Sequence, residues 1–198
     1  MLSCEELLRP LAERRTDQVV VTTMSVVRPW GLLSDSPLDF ASADSAMGHA
    51  ADLALGIAMA QPARKVLCLN GDGSMLMSLG TLATIVEAGV SNLVLFVVGN
   101  GGYEITGNQP LAGGDAVDFA GLARAAGFPW VHRFHDAVAF ERGLDAVLAQ
   151  RGPVFVDIRV EPGEQGPIQR SPAEPAAYLK TSLYDWSRTL RRALTAPS

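Results

Sequence analysis

Three stretches constrain what this chain can fold into more than anything else in it. "KVLCLN" (65–70), "NLVLFVV" (92–98) and "PVFVDIRV" (153–160) are apolar nearly throughout, with no alternation of apolar and polar positions. A strand without a polar face has no side to turn to water, so it belongs inside a parallel sheet covered on both faces. The segments between them have helical periodicity, which gives a βα alternation and a three-layer, doubly wound α/β fold. The chain has 198 residues, 48% of them hydrophobic, which suffices for one sizeable core.

Around those strands, residues 3–15 are expected to form an amphipathic helix, "VVVTT" (19–23) a first strand, and 28–44 mostly loop with a short strand near Phe40. "AMGHAADLALGIAMA" (46–60) is apolar on nearly all sides, which suits a helix inside a protein or at an interface. Further helices are expected over 74–90, 115–127, 136–150 and about 174–193, with a short strand at 130–134. Residues 1–165 form the expected domain, and 166–198 a tail with a helix that packs on the domain or on a partner.

Composition excludes some roles. Sixteen basic and 21 acidic residues give a net charge of −5 with no block of one sign, which argues against nucleic acid or an anionic membrane as partner. Cys4 and Cys68 are far apart and form no CxxC, as expected of reduced thiols in a cytoplasmic protein. "MLSCEELLRP" has no apolar core of a secretory signal, and no apolar run is long enough to span a bilayer.

Two loops follow strand ends, where ligands sit in open α/β sheets. They are "NGDGS" (70–74) and "GNGGYEITGNQP" (99–110). Asp72 reads in two ways: as a helix cap, or as a metal ligand beside a phosphate site. In the second reading, Gly71 and Gly73 let the backbone approach closely, and Gly73, Ser74 and the positive end of the following helix receive phosphate oxygens. A carboxylate among phosphates requires a dication between them, and Mg²⁺ prefers an all-oxygen shell. Twenty-six residues separate Gly73 from Asn100, room for one helix and one strand, so Asn100 reaches the same sheet edge. The Gly102 carbonyl can join it.

"NGDGS…VVGNGGY" resembles the thiamine diphosphate signature of GDG followed after some 25 residues by Asn. "DSAMGHAADLALGIAMA", "GDGSMLMSLGTLATI" and "GYEITGNQP" resemble sulfopyruvate decarboxylase beta subunits and phosphonopyruvate decarboxylases, over roughly residues 18–160. One departure is Gly99-Asn100, where the family often has two asparagines.

The resemblance implies that Asp72, Asn100 and the Gly102 carbonyl hold Mg²⁺, with Gly71, Gly73 and Ser74 at the diphosphate. Thr22, Thr23 and Ser25 offer hydroxyls to the phosphate end, Thr23 first among them, or act as strand-end caps. Met47 would wedge between the two cofactor rings, with the Ser45 carbonyl accepting from the pyrimidine amino group; read without the resemblance, Met47 is core. His49 either touches substrate or serves as a core or interface residue. Tyr103 and Ile105 border the cofactor, and Thr106, Asn108 and Gln109 continue the loop toward the substrate. Arg28 and Arg133 are candidates for a substrate anion by position, or solvated surface charges.

The implied reaction is non-oxidative decarboxylation of a small 2-oxo acid to an aldehyde. An acetolactate synthase-like carboligase subunit and a non-catalytic cofactor-binding half remain alternatives. The family's activating glutamate lies in a separate pyrimidine-binding domain, and Glu87 and Glu104 are not placed to replace it. The chain is therefore expected to need a pyrimidine-domain partner, in a hetero-oligomer with at least two copies of each chain.

Overall fold

The apolar strands assemble side by side. The structure is a computed structural model that describes residues 2–42 and 47–196. Six strands form one parallel sheet: β1 (Val19–Thr22), β2 (Asp39–Ala41), β3 (Val66–Gly71), β4 (Leu93–Gly99), β7 (Trp130–Phe134) and β8 (Val154–Arg159). Their order is β2-β1-β3-β4-β8-β7. The direction of winding reverses between β1 and β3, so the loops leaving those two strands diverge and open a crevice at the carboxyl edge. β5 (Gly102–Tyr103) and β6 (Gln109–Pro110) pair antiparallel within the loop after β4.

Alternate residues of each central strand enter opposite cores. Leu67, Leu69, Val94 and Phe96 pack with α1 (Cys4–Arg14), α2 (Val27–Leu33) and α7 (Ala137–Ala149). Val66, Cys68, Leu93 and Leu95 pack with α3 (Ala50–Ala60), α5 (Thr81–Ala88), α6 (Phe119–Ala126) and α8 (Leu183–Thr195). The result is the expected three-layer α/β arrangement. Tyr178 and Leu179, far beyond β8, lie in the first core, and the Tyr178 hydroxyl donates to the Val27 carbonyl. No helix among the described residues is long and apolar enough to cross a membrane.

The helix expected over about 174–193 begins only at Leu183, after a short turn at Ala177–Leu179, and the one expected over 115–127 begins only at Phe119. Two further elements differ from the sequence reading. Residues 28–33, expected as loop, lie in α2. Pro29 sits in its first turn, where a missing N–H costs nothing, and the fully buried Trp30 anchors it. The single helix expected over 74–90 is two. A six-residue helix, α4 (Asp72–Met77), starts directly at the end of β3, and α5 follows after a turn through Ser78–Gly80. Ser78 caps nothing in α5; its hydroxyl donates to the Gly48 carbonyl, holding the turn against the start of α3.

Candidate functional site

At the carboxyl edge, an open cleft lies between the loops that follow β1, β3 and β4. It brings together Met47, Gly71, Asp72, Gly73, Ser74, Asn100, Gly102, Tyr103, Ile105 and Thr106, all residues singled out in the sequence.

Asp72 is the first residue of α4, and Gly71 takes the cap position without a side-chain bond. The carboxylate is 2% exposed and links two loops: Oδ1 accepts from Gly73 N at 2.8 Å, and Oδ2 from Gly101 N at 2.9 Å. Burial pushes its carboxyl above the usual range, while those two amides and the nearby Arg159 pull it back. The Gly73 N–H, expected to face a phosphate, is thus engaged by Asp72. Ser74 Oγ accepts from Gly48 N at 3.0 Å, which leaves its proton available to donate.

Asn100 follows β4 across the sheet from β3. Its Oδ1 accepts from Gly102 N at 3.2 Å, and its Nδ2 donates to Glu104 Oε2 at 2.8 Å. A carboxylate, an amide oxygen and the Gly102 carbonyl make an all-oxygen donor set, which suits a hard cation and not a soft one. No group of three or more His, Cys, Asp or Glu side chains that could hold a metal ion occurs among the described residues. The backbone around it is open where a bound group would need room: a Cβ built on Gly71 meets nothing within 4 Å. At Gly73 it would lie 2.6 Å from the Tyr103 ring, so only glycine lets that ring close on the loop.

Several sequence candidates stand elsewhere. Thr23 is fully buried and its hydroxyl donates to the Ser42 carbonyl at 3.1 Å, away from the cleft. Met24 and Ser25 line the cleft in its place. Met24 has φ +47°, a left-handed conformation uncommon for a residue without a glycine's freedom, as found at strained functional turns. His49 is exposed and its Nδ1 pairs with Asp52 Oδ2 at 2.8 Å, outside the cleft lining. Ser45 lies outside the described residues.

Arg28 is bound to Glu174 and to the carbonyls of Gly166 and Pro167; Arg133 is bound to Asp118 and Asp157. Both guanidinium groups are therefore engaged within the chain. Glu104 was set aside in the sequence as a misplaced acid, yet it lines the cleft and is 6% exposed. The only sequence signal for it was its position four residues past Asn100.

The family model described as "Thiamine pyrophosphate enzyme, C-terminal TPP binding domain" matches residues 31–158. A phosphonopyruvate decarboxylase from Streptomyces viridochromogenes is 37% identical over 171 residues, 86% of this chain and 42% of that protein. A sulfopyruvate decarboxylase subunit beta from Methanothermobacter thermautotrophicus is 40% identical over 131 residues, 66% of each chain. Among solved structures, a 2-oxoglutarate:ferredoxin oxidoreductase from Magnetococcus marinus shares the fold, with a TM-score of 0.66 and 17% identity over 80% of this chain and 60% of that one. The chain spans less than half the length of the phosphonopyruvate decarboxylase it matches. A cleft built from GDG and Asn at one sheet edge, within a matched region that includes both, leads to one assignment: this chain belongs to the thiamine pyrophosphate enzymes and carries their C-terminal TPP-binding domain.

Proposed function

We propose that the chain is the diphosphate- and Mg²⁺-binding subunit of a thiamine diphosphate-dependent decarboxylase of small 2-oxo acids, of the sulfopyruvate or phosphonopyruvate kind. The observation that carries this reading is the convergence of Asp72, Asn100 and Gly102 on one cleft between β3 and β4. Similarity to a subunit named sulfopyruvate decarboxylase beta supports the substrate class and the two-chain organisation.

Bound thiamine diphosphate supplies the electron sink for the electrons released with CO₂. The chain's own residues do the rest of the work on their side of the cleft. Asp72, Asn100 Oδ1 and the Gly102 carbonyl hold Mg²⁺, and Ser74 donates its hydroxyl proton to the diphosphate. Met47, in the lining of the cleft, would support the bound cofactor. Tyr103 and Ile105 exclude water from the ring side, and Thr106 faces the substrate. The activating glutamate comes from a pyrimidine-domain partner, and the assembly works in the cytoplasm with at least two copies of each chain.

The test is to purify the chain with and without its pyrimidine-domain partner and measure CO₂ and aldehyde from sulfopyruvate, phosphonopyruvate and pyruvate. Aldehyde from one of the first two, by the pair alone, is expected. Acetolactate as the main product overturns the decarboxylase assignment, and full activity from this chain by itself overturns the two-chain assembly.

A further inference from the structure

Glu104 begins the turn after β5 and is buried in the lining of the cleft. Its Oε2 accepts from Asn100 Nδ2 at 2.8 Å, and its Oε1 accepts from Gln165 N at 3.1 Å. The chain beyond β8 presses onto it so closely that a Cβ on Gly163 would lie 2.4 Å from Oε1. Asn108 Nδ2 also holds the Gly163 carbonyl at 3.2 Å, and Gln165 Nε2 reaches across to the Ser25 carbonyl at 2.6 Å. Residues 163–165 thus rest on both sides of the cleft, with Glu104 as the joint.

The chemistry of that joint is one-sided. The two ends of an asparagine amide have nearly the same shape, but only the oxygen can ligate a hard cation, while the NH₂ end repels it. An ionised carboxylate accepts and never donates, so the Asn100 NH₂ must turn toward Glu104 and Oδ1 must turn away. A neutral amide at position 104 could meet either end and would leave the choice open. Groups that orient a metal ligand in this manner are worth about 10–100-fold in metal affinity.

We propose that Glu104 is a positioning residue that dictates which end of Asn100 faces the metal and fastens residues 163–165 to that setting. This rests on the reading of Asn100 as a Mg²⁺ ligand, and the experiment separates the two. Mn²⁺ serves as a paramagnetic stand-in, titrated with thiamine diphosphate into the full chain, and unbound Mn²⁺ is counted by electron paramagnetic resonance. Glu104→Gln should weaken Mn²⁺ binding by about 10–100-fold and speed amide hydrogen exchange at 163–165.

The double variant Asn100→Asp/Glu104→Gln reverses donor and acceptor across the pair. The new carboxylate accepts from the new amide, keeps its second oxygen for the metal, and leaves an oxygen at position 104 for Gln165 N. It should regain most of the lost affinity. Wild-type Mn²⁺ affinity in Glu104→Gln, alongside loss in Asp72→Ala, overturns the role of Glu104 and leaves the metal reading standing. Wild-type affinity in Asp72→Ala as well overturns both. Where Glu104→Gln alone does not fold, the double variant decides: folded with restored affinity supports the proposal, and folded without it, or unfolded, overturns it.

Discussion

Replacing a helical glycine by alanine ordinarily stabilises a protein, and here the same substitution is expected to have opposite signs in two helices. Gly31 lies in α2 against the chain beyond β8. A Cβ there would stand 2.2 Å from Ala176 Cβ and 2.7 Å from the Tyr178 ring. Carbon atoms in good contact are about 3.5–4.0 Å apart, so the two segments would have to part by more than about 1 Å. Overpacking of that kind costs about 1–3 kcal/mol, and alanine returns about 0.5–1 kcal/mol of helix preference.

A net loss of up to roughly 2.5 kcal/mol follows for Gly31→Ala, the difference of those two terms. Separating the segments altogether would expose Tyr178 and Leu179 at about 1.5–3 kcal/mol each, which caps the damage. Gly56, exposed in α3, meets nothing within 4 Å, so Gly56→Ala should gain about 0.5–1 kcal/mol. Urea unfolding of the isolated chain, with a slope near about 2 kcal/mol/M, should lower the midpoint for the first variant and raise it for the second. A Gly31→Ala midpoint at or above wild type would refute the close seating of residues 176–179 on α2.

Two further outcomes concern the cleft. Gly73→Ala should displace the Tyr103 ring, cost on the order of 1–3 kcal/mol and weaken thiamine diphosphate binding by calorimetry. Gly99→Ala should stay within about 1 kcal/mol, because its Cβ would lie 3.1 Å from Arg159 Cδ and 3.3 Å from Asp72 Oδ2, contacts less severe than the 2.6 Å at Gly73; equal losses for the two would contradict this. In the cofactor-free chain the Asp72 carboxyl is raised by burial, so the folded state binds its proton more tightly than the unfolded chain. That contribution is fully present below about pH 4 and fades as pH rises through the raised value. Asp72→Asn should flatten this part of the profile of urea midpoint against pH, and an unchanged profile would count against it.

Much of this was legible in the sequence because burial on two faces leaves a plain mark. The runs at 65–70, 92–98 and 153–160 became β3, β4 and β8 with little change of boundary. Asp72, Asn100 and Gly102 were legible because each follows such a run within a glycine-rich loop. What the sequence hid was set by contacts distant along the chain. α2 contains Pro29 and Gly31, which read locally as loop, and it is shaped by Trp30 and by residues 176–179. The break at Ser78–Gly80 answers to the Gly48 carbonyl, thirty residues earlier. Thr23 stood at the right strand end, but the backbone turn at Met24 sends its hydroxyl into the core and brings Met24 and Ser25 to the cleft. Glu104 was hidden because its second partner is Gln165.

The Tyr178 hydroxyl lies 3.2 Å from Thr22 Oγ1, a contact across 156 positions. During synthesis the chain leaves the ribosome from its N-terminus, so the end of β1 waits for this cover until residues 176–179 have emerged. A nascent chain stalled before residue 176 would leave Trp30 and its neighbours without the cover of residues 176–179. Closure of this side of the domain is thus tied to the emergence of residues 176–179, and the interval before it is when a chaperone would have most to hold.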